Sequence, residues 1–450
     1  MLEPLVARLG ADRVITDPDI IETYRRDQTA LGVAGVPLAV VRAQNIDDVV
    51  ATMQVASELR VPVVTRGAGT GLAGGANAIE GCILLSTAAM NSILWIDRTQ
   101  RLARVQCGVI NAALATAAAA VGLWYPPDPA SRAISTIGGN IATNAGGACC
   151  LKYGVTGDHV AALTAVLADG TVIRTGGGTR KNVAGLDLTR LLVGSEGALA
   201  VIVEATLRLR PAPAPASTLV AFFASVESAG QAAYEIERVA DPSLLELMDR
   251  VTIGAVEAMT RMGLDTGAAA LLIVQSDAAS AAADIEYVAK ACAANGATDV
   301  SATTDLEEGE QFLVARRSAL PALERLGTTL LDDVVVPKPA LAQMLARIGA
   351  IATTYDLVIG TFGHAGDGNL HPTIVFAGGD SVAEAAARAA FDDIVRAALD
   401  LGGSITGEHG VGSLKTAYLT GMLGEQERAL MARIKTAFDP AGILNPGRAL

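Results

Sequence analysis

The chain has 450 residues, of which 51% are hydrophobic and 18% charged, so it can build two or three folded domains and is not a disordered chain. Its formal net charge of −13 excludes a surface that follows nucleic-acid phosphates. Its five cysteines contain no Cys-x-x-Cys pair, which argues against a disulfide framework and indicates a reducing environment.

Residues 1–35 are predicted to form a helical lead-in. The N-terminus has no basic segment followed by an apolar run, so we expect no secretory signal. The most apolar stretch, residues 109–125, is mostly alanine and falls short of the ~20 strongly apolar residues that a membrane span needs. The sequence therefore predicts a cytoplasmic protein without a transmembrane segment, and peripheral contact with a membrane stays open.

From residue 36 onward, short strands and helices are predicted. The predicted strands cover residues 36–41, 61–65, 83–86, 103–107, 160–167, 172–175 and 199–209. The predicted helices cover residues 45–58 and 111–121. Asp169-Gly170 is a hairpin turn signal. The alternating prolines of residues 211–217 disfavour a helix and predict a domain boundary.

The second half alternates predicted strands with longer predicted helices. The strands cover residues 219–223, 270–275, 334–336, 357–361 and 373–376. The helices cover residues 228–240, 279–294, 307–326, 339–353, 381–401 and 425–438. Alternation alone favours a parallel sheet, although periodicity does not fix the direction of a strand.

Glycine-rich runs in the first half have the composition of ligand-binding loops. The first run, residues 67–75, leads into another strand and therefore does not match a Rossmann loop, which opens into a helix. Its successive amides can still form a concavity for a pyrophosphate. The second run, residues 126–147, adds serine and threonine hydroxyls, and residues 194–197 form a third. A tight structural turn is the alternative for either long run alone.

Three of the four histidines lie in two glycine-rich segments near the C-terminus. His364 and His371 share the first segment, and Glu408 and His409 form the centre of Gly-Glu-His-Gly. Imidazole and carboxylate are good ligands for a divalent metal, and a histidine beside a ligand can act as a base. We interpret the fourth, His159, as structural.

Together, these runs, the segments 152–158 and 191–197, and the final Asn-Pro-Gly at 445–447 resemble the FAD-linked oxidases of the vanillyl-alcohol oxidase superfamily. The similarity covers nearly the whole chain and is greatest for the D-lactate, glycolate and D-2-hydroxyglutarate dehydrogenase branch. It implies an α+β protein with a PCMH-type FAD-binding domain of two subdomains at 36–213. It also implies a cap domain on an antiparallel sheet at 214–424, which replaces the parallel sheet, and a C-terminal segment at 425–450 that returns to the flavin.

The resemblance implies that FAD is held noncovalently, because the first loop lacks the histidine that tethers the flavin in many relatives. The residues implied to bind FAD are Arg66, Gly67, Ala68, Gly69, Thr70, Gly71, Pro127, Asp128, Ser135, Gly138, Gly139, Asn140, Thr143, Asn144, Gly146, Gly147, Tyr153, Gly154, Glu196, Gly197, Val201, Val203 and Asn445.

By the same resemblance, His364, His371 and Glu408 ligate a divalent metal, zinc or manganese, and His409 is the catalytic base. Arg316 occupies the position of the arginine that binds the substrate carboxylate, with the adjacent Arg317 as the alternative. The implied reaction oxidises a D-2-hydroxy acid, of the D-lactate or glycolate type, with hydride transfer to flavin N5.

Three positions bear on the substrate. The 2-hydroxyglutarate enzymes carry polar or basic groups where this chain has Leu320, Leu331 and Thr373, which favours a substrate with one carboxylate. A D-2-hydroxyglutarate dehydrogenase or an ether-lipid-synthase-like enzyme remains the alternative within flavin chemistry. A metal-dependent hydrolase without flavin and a non-catalytic flavin subunit are the alternatives from other classes. The electron acceptor stays unidentified, and both a homodimer and a complex with a partner subunit stay open.

Overall fold

The computed structural model describes residues 2–449, which form two compact units. Unit 1 comprises the chain up to Gly146, then Gly154–Ala212, then the chain from Glu408 onward. Unit 2 comprises Gly147–Tyr153 and Pro213–Gly407. One boundary therefore falls within the proline-rich segment predicted to separate two domains. Residues 408–424, which the resemblance assigns to the cap, cluster with unit 1.

The regular elements are numbered in chain order. The strands are β1 Val14–Ile15, β2 Ala39–Arg42, β3 Val63–Arg66, β4 Ile83–Ser86, β5 Ile93–Asp97, β6 Leu102–Gln106, β7 Leu123–Trp124, β8 Val160–Val166, β9 Val172–Gly176, β10 Val201–Arg208, β11 Arg210–Pro211, β12 Ser217–Phe223, β13 Leu244–Asp249, β14 Ala270–Ser276, β15 Ala297–Thr303, β16 Thr328–Leu331, β17 Val334–Val335, β18 Val358–His364 and β19 Asn369–Phe376. The α-helices are α1 Glu3–Leu9, α2 Pro18–Glu22, α3 Ile46–Leu59, α4 Asn111–Ala119, α5 Ile137–Thr143, α6 Cys150–Tyr153, α7 Thr156–His159, α8 Leu188–Leu192, α9 Val226–Val239, α10 Arg250–Thr260, α11 Ala281–Ala294, α12 Leu306–Arg317, α13 Ala319–Glu324, α14 Leu341–Tyr355, α15 Ser381–Asp400, α16 Leu419–Met422 and α17 Glu425–Phe438. Short 3₁₀ turns span Lys338–Ala340 and Thr416–Tyr418.

Unit 1 contains two main sheets. The first has the order β1-β2-β4-β3, in which β2, β4 and β3 run parallel. The second has the order β5-β6-β10-β8-β9 and is antiparallel throughout. The chain returns beside β3 near its C-terminus, where the Val63 N–H donates to Ile443 O at 2.7 Å and the Asn445 N–H donates to Val63 O at 2.9 Å. Residues 443–445 therefore extend the first sheet beside β3.

Local sequence explains where helix α3 begins and ends. Asn45 caps α3 by accepting the Asp48 N–H at 3.0 Å, and two aspartates in the first turn favour the positive end of the helix dipole. The apolar face carries Val49, Met53 and Ala56, all fully buried in the core of the unit. The helix ends at Arg60, which adopts a left-handed conformation with φ of 53°.

Unit 2 is built on an eight-stranded sheet with the order β15-β12-β14-β13-β18-β19-β16, and β17 also pairs with β19. Every pairing in it is antiparallel. The expectation of a parallel sheet from alternation alone is thus wrong, and the antiparallel cap implied by the resemblance is confirmed. The helices between strands return the chain to neighbouring antiparallel positions, which periodicity cannot distinguish from a parallel crossover.

Several predicted elements need correction. The predicted helix 307–326 is two helices, α12 and α13, because the chain restarts at Ser318 ahead of Pro321, whose missing N–H cannot continue a helix. The lead-in is not purely helical, since β1 pairs with β2. The second glycine-rich run contains a helix, α5. The strands β5, β13, β15 and β16 and the helix α10 were not predicted.

Among the described residues, the longest and most apolar helices still fall short of what crossing a bilayer requires.

Candidate active site

A cleft of about 540 Å³ opens in unit 1 beside the first glycine-rich loop. Arg42, Arg66 and Ser86, the last residues of three parallel strands, line it together with Gly67 and Ala68. Ligands of open parallel sheets commonly bind at the carboxyl ends of the strands. The loop between β3 and β4 therefore reaches a ligand-sized space without the helix that a Rossmann loop would need.

The first loop is held in a conformation that requires glycine. Gly69 has φ of +74°, and a Cβ placed on it would lie 1.9 Å from the guanidinium of Arg66. That guanidinium donates from Nη1 to Arg26 O at 2.8 Å. Burial lowers the pKa of Arg66, against the opposing charge of Asp27. The loop is also held to the preceding segment of the chain, because Gly71 O accepts the Gln28 N–H at 2.9 Å.

The second glycine-rich run packs directly against the first. A Cβ on Gly67 would lie 2.2 Å from Thr136 Oγ1, and one on Gly138 would lie 2.6 Å from Cys107 Cβ. Thr136 caps α5 by accepting the Gly139 N–H at 3.2 Å. These contacts bring the two predicted FAD loops together within one unit.

Buried polar atoms on this run test whether a flavin nucleotide fits. Ser135 Oγ and Asn140 Nδ2 are buried and have no hydrogen-bond partner among residues 2–449. Leaving such groups unsatisfied costs about 1–3 kcal/mol each. A ligand rich in acceptor oxygens would satisfy them, so the residues present fit FAD.

The other residues implied for FAD are arranged as follows. Pro127 O accepts Asn111 Nδ2 at 3.1 Å, Thr143 Oγ1 donates to Gly139 O at 3.3 Å, and Asn144 Oδ1 accepts the Gly157 N–H at 2.8 Å; Asp128, Thr70 and Gly146 lie in or beside the same loops, and Gly154 and Gly197 have positive φ. Val201 and Val203 are buried in the core of unit 1. Gly147 and Tyr153 belong to unit 2, where the Tyr153 hydroxyl donates to Asp277 Oδ2 at 2.5 Å.

Glu196 fixes the C-terminal glycine-rich segment within unit 1. Its carboxylate accepts the Val411 N–H at 2.7 Å and the Gly412 N–H at 2.8 Å. Burial raises the pKa of Glu196 to about 6, although the two N–H donors oppose the shift. Asn445 Nδ2 donates to Glu196 O at 2.6 Å and to Gly75 O at 3.0 Å. Glu196 and Asn445 therefore hold backbone segments of the candidate site in place through hydrogen bonds.

Glu408 and His409 lie just before this anchored segment. The side chain of Glu408 packs against Gly146, where a Cβ would come within 2.4 Å of Glu408 Oε2. His409 Nε2 lies 3.5 Å from Glu408 Oε1. Both side chains are thus placed beside the predicted FAD loops of unit 1.

In unit 2, strand register brings Glu246 and the two candidate metal ligands, His364 and His371, to one sheet face. Glu246 on β13 is opposite His364 on β18, and Phe362 on β18 is opposite His371 on β19. Directly opposite residues point to the same face, as do residues two apart in one strand. The two imidazoles consequently lie with ring centroids 5.3 Å apart.

Each imidazole turns its Nδ1 toward a buried carboxylate. His364 Nδ1 lies 2.6 Å from Glu246 Oε1, and His371 Nδ1 lies 3.8 Å from Asp333 Oδ1. Metal-bound histidines typically direct their second nitrogen to a carboxylate or carbonyl. Only the His364 contact is short enough for a hydrogen bond, so Glu246 supports one of the two imidazoles in this way. Two neighbouring imidazoles suit a divalent metal.

Arg316 reaches the same face from α12. Its Nε donates to Glu246 Oε2 at 2.5 Å, and its guanidinium lies 4.8 Å from the centre of the Phe362 ring. Arg317 instead pairs with Glu310 at the surface. The structure therefore separates the two candidates and places Arg316 beside the histidines.

Asp333 connects this face to the chain segment that precedes Glu408. Its Oδ1 accepts Asn369 Nδ2 at 2.7 Å, while its Oδ2 accepts Thr406 Oγ1 at 2.7 Å and the Gly407 N–H at 2.9 Å. Glu408 follows Gly407 directly in the chain.

Comparison with known proteins identifies the family. The model of the FAD linked oxidases, C-terminal domain, matches residues 212–449, and that of the FAD binding domain matches residues 37–176. The glycolate oxidase subunit GlcD of Bacillus subtilis is 44% identical over 416 residues, covering 92% of this chain and 88% of that protein. The D-lactate dehydrogenase of Archaeoglobus fulgidus is 38% identical over 438 residues, covering 95% and 96%. The chain belongs to the FAD-linked oxidases.

Solved structures agree on the fold of this FAD-linked oxidase. p-Cresol methylhydroxylase superposes with a TM-score of 0.83 at 18% identity, covering 100% of this chain and 96% of that one. An alkyldihydroxyacetonephosphate synthase superposes with a TM-score of 0.78 at 18% identity, covering 99% and 85%. The predicted family, the α+β fold and the FAD cofactor are confirmed. Membership excludes a hydrolase without flavin.

Two buried carboxylates beside the candidate site histidines of this FAD-linked oxidase, Glu246 and Asp333, were not predicted from the sequence. Glu246 is fully buried and Asp333 is 1% exposed, and both lie in apolar runs, Leu-Leu-Glu-Leu-Met and Leu-Leu-Asp-Asp-Val-Val. A carboxylate inside an apolar strand is costly unless paired, and that pattern was the available signal. His159 is buried with its ring edge-on to Tyr125, in keeping with its structural interpretation.

Proposed function

We propose that this FAD-linked oxidase converts a small D-2-hydroxy acid with one carboxylate, such as D-lactate or glycolate, to the 2-oxo acid. One observation carries the proposal: the register of β13, β18 and β19 gathers His364, His371 and the partner of Arg316 on a single face. The printed names of the relatives, a glycolate oxidase subunit and a D-lactate dehydrogenase, support the substrate class.

In this proposal, His364, His371 and Glu408 hold one divalent ion, zinc or manganese. Two imidazoles and a carboxylate with an open fourth position are typical of a catalytic zinc site. The ion would lower the pKa of a hydroxyl group bound to it. Support comes from Glu246, which hydrogen-bonds to His364, and from Asp333, which lies 3.8 Å from His371 Nδ1 and anchors the residue before Glu408.

Arg316 binds the carboxylate of the substrate. Glu246 occupies its Nε, and neither Nη nitrogen has a hydrogen-bond partner among the described residues. Two parallel N–H groups of a guanidinium suit the two oxygens of a carboxylate. Its side chain is 13% exposed, so a carboxylate bound there would be largely shielded from water, which strengthens the ion pair.

His409 removes the proton of the substrate hydroxyl. Glu196 accepts hydrogen bonds from the N–H groups of Val411 and Gly412, and this holds the segment that follows His409 in place. FAD, when bound, supplies the acceptor for the hydride of the carbinol carbon. We propose that the FAD residues named above hold the cofactor noncovalently, since the loop from Arg66 to Gly75 contains no histidine.

The same sheet face favours a substrate without a second carboxylate. Thr373 is buried, and its Oγ1 donates to His371 O at 3.3 Å. Leu331 and Leu320 pack against the apolar core of unit 2. A distal carboxylate would lose water here without a cationic partner, which is unfavourable. D-2-hydroxyglutarate is therefore the weaker candidate.

The test is anaerobic bleaching of the ~450 nm flavin absorbance by D- and L-lactate, glycolate and D-2-hydroxyglutarate, with and without a chelator. D-lactate or glycolate should bleach fastest, and chelation should slow the reaction. His409→Ala should retain FAD and lose nearly all reduction. His364→Ala/His371→Ala should lose about one equivalent of divalent metal per chain. Metal-free protein with full activity, or fast reduction of the His409→Ala protein, would contradict the proposal.

The GlcD relatives are named as subunits. We infer that this chain also works with a partner subunit.

A further inference from the structure

Glu246 is a buried carboxylate of unit 2 that bonds to two of the proposed site residues. It has no exposed surface, and it bonds to His364 through Oε1 at 2.6 Å and to Arg316 through Oε2 at 2.5 Å. Arg316 carries its charge at any ordinary pH and pairs with Glu246 inside the protein, so the carboxylate is the ionised half of a buried ion pair. It therefore meets both partners as an acceptor only.

An ionised carboxylate fixes the tautomer of the imidazole that it binds. Because Glu246 Oε1 can only accept, the proton must lie on His364 Nδ1. The lone pair of the neutral ring is then on Nε2, which is the nitrogen that would bind a metal ion. On the other side, Arg316 uses Nε for Glu246 and keeps both Nη groups for a substrate carboxylate.

We propose that Glu246 is a positioning residue with two effects on substrate binding. It fixes the tautomer of His364 that binds the metal, and it orients Arg316 toward the substrate carboxylate. The proposal rests on the proposed function, since it takes His364 as a metal ligand and Arg316 as the carboxylate anchor. Glu246 would touch neither the metal nor the substrate.

The decisive variant is Glu246→Gln, which keeps the shape but leaves one acceptor. Arg316 Nε is always a donor and is charged, so it should take the amide oxygen, because charge-assisted hydrogen bonds are about twice as strong as neutral ones. The amide NH₂ then faces His364 Nδ1 and forces the proton onto Nε2. The affinity of the FAD-loaded protein for Zn²⁺, measured by competition with a chromophoric chelator, should fall about 10- to 100-fold.

Removing the arginine should reverse that loss. In Glu246→Gln/Arg316→Met the amide oxygen is free to accept His364 Nδ1–H again. Zn²⁺ affinity should recover to within about threefold of that of Arg316→Met alone. A merely structural role predicts the opposite, because the double variant loses more contacts. Equal Zn²⁺ affinity of the Glu246→Gln and wild-type proteins would overturn the proposal, as would a double variant no better than Glu246→Gln.

The wild-type protein offers a test that does not depend on the variant folding. With four histidines in the chain, ¹⁵N-histidine spectra of Zn²⁺-loaded protein can be assigned using His364→Ala. The His364 resonances should show a protonated Nδ1 and a metal-bound Nε2. A metal-bound Nδ1 would overturn the proposal.

Glu237→Gln is the matched control. Glu237 lies on α9 and accepts a hydrogen bond from Lys338 Nζ at 2.6 Å, away from Glu246, His364 and Arg316. It should keep wild-type Zn²⁺ affinity.

Failure of the proposed function looks different from failure of this inference. Wild-type protein without a Zn²⁺ site sensitive to His364→Ala would refute the metal site itself, and the positioning role with it.

Discussion

Glu196 and Gly412 are 216 residues apart in the chain, yet the Gly412 N–H donates to Glu196 Oε2 at 2.8 Å. The neighbouring Val411 N–H binds the other oxygen. A carboxylate from the third glycine-rich run thus holds the backbone that follows Glu408 and His409. The position of the proposed base depends on a group that carries out no chemistry.

Replacing Gly410 should disturb this arrangement. Gly410 has φ of +85°, and a Cβ there would lie 2.9 Å from Glu196 Oε1. Gly410→Ala should cost about 1–2 kcal/mol of unfolding free energy for the left-handed backbone and lower kcat by displacing His409. Gly177→Ala is the control, because no atom lies within 4 Å of its Cβ position and its φ is not positive. Equal melting temperatures and turnover in the two variants would refute this role.

Titration of Glu196 should appear in the pH dependence of stability. Burial raises the pKa of Glu196 from 4.5 to about 6, so the folded state binds a proton more tightly than the unfolded chain. The unfolding free energy should therefore fall, by about 2 kcal/mol, as pH rises through this window, and this contribution should be constant above it. In urea unfolding, Glu196→Gln should lack that slope, whereas Glu58→Gln, at an exposed site, should retain it. If the unfolding free energy of Glu196→Gln changed with pH in parallel with that of the wild type, titration of Glu196 would not be the cause of the slope.

Adjacent arginines offer a matched test of substrate binding. Arg316→Met should raise KM for D-lactate or glycolate by about 10-fold or more, since it removes a charged hydrogen-bonding partner worth about 1.5–3 kcal/mol. Arg317→Met should leave KM unchanged, because Arg317 pairs with Glu310 at the surface. Steady-state kinetics of both variants would decide. A larger effect at Arg317 would reverse the assignment.

The hydroxyl of Ser135 should contribute to FAD binding. Its Oγ is buried and has no partner among the described residues, so FAD is the group proposed to satisfy it. Ser135→Ala should weaken FAD binding by about 2- to 10-fold in reconstitution of the apoprotein, which corresponds to one hydrogen bond. Thr116→Ala is the control, since Thr116 Oγ1 already donates to Ala112 O at 2.9 Å. Unchanged FAD affinity in Ser135→Ala would exclude the contact.

The sequence predicted the parts of this molecule that local patterns encode. The helix from Ile46 to Leu59 was visible through its cap at Asn45, and the hairpin at Asp169-Gly170 joins β8 and β9 as expected. Strand direction in unit 2 was not visible, since the same alternation of elements is compatible with parallel and antiparallel pairing.

The candidate site shows the same limit. His364 and His371 could be singled out because their spacing is local, whereas Glu246 is 118 residues from His364. Only strand pairing makes Glu246 and His364 neighbours, and pairing partners are not written in the periodicity of either strand. Gly138 and Gly139 resembled a loop, but Thr136 caps a helix there and tertiary packing against Cys107 overrides their low helix propensity.

The return of Ile443 and Asn445 to the edge of β3 has a consequence for biosynthesis. On the ribosome, the first parallel strands emerge long before the residues that cover their open edge. An uncovered strand edge is a template for pairing with other chains. Nascent chains, or chains truncated before residue 443, should therefore aggregate through β3 and depend on chaperones until residues 443–445 are released.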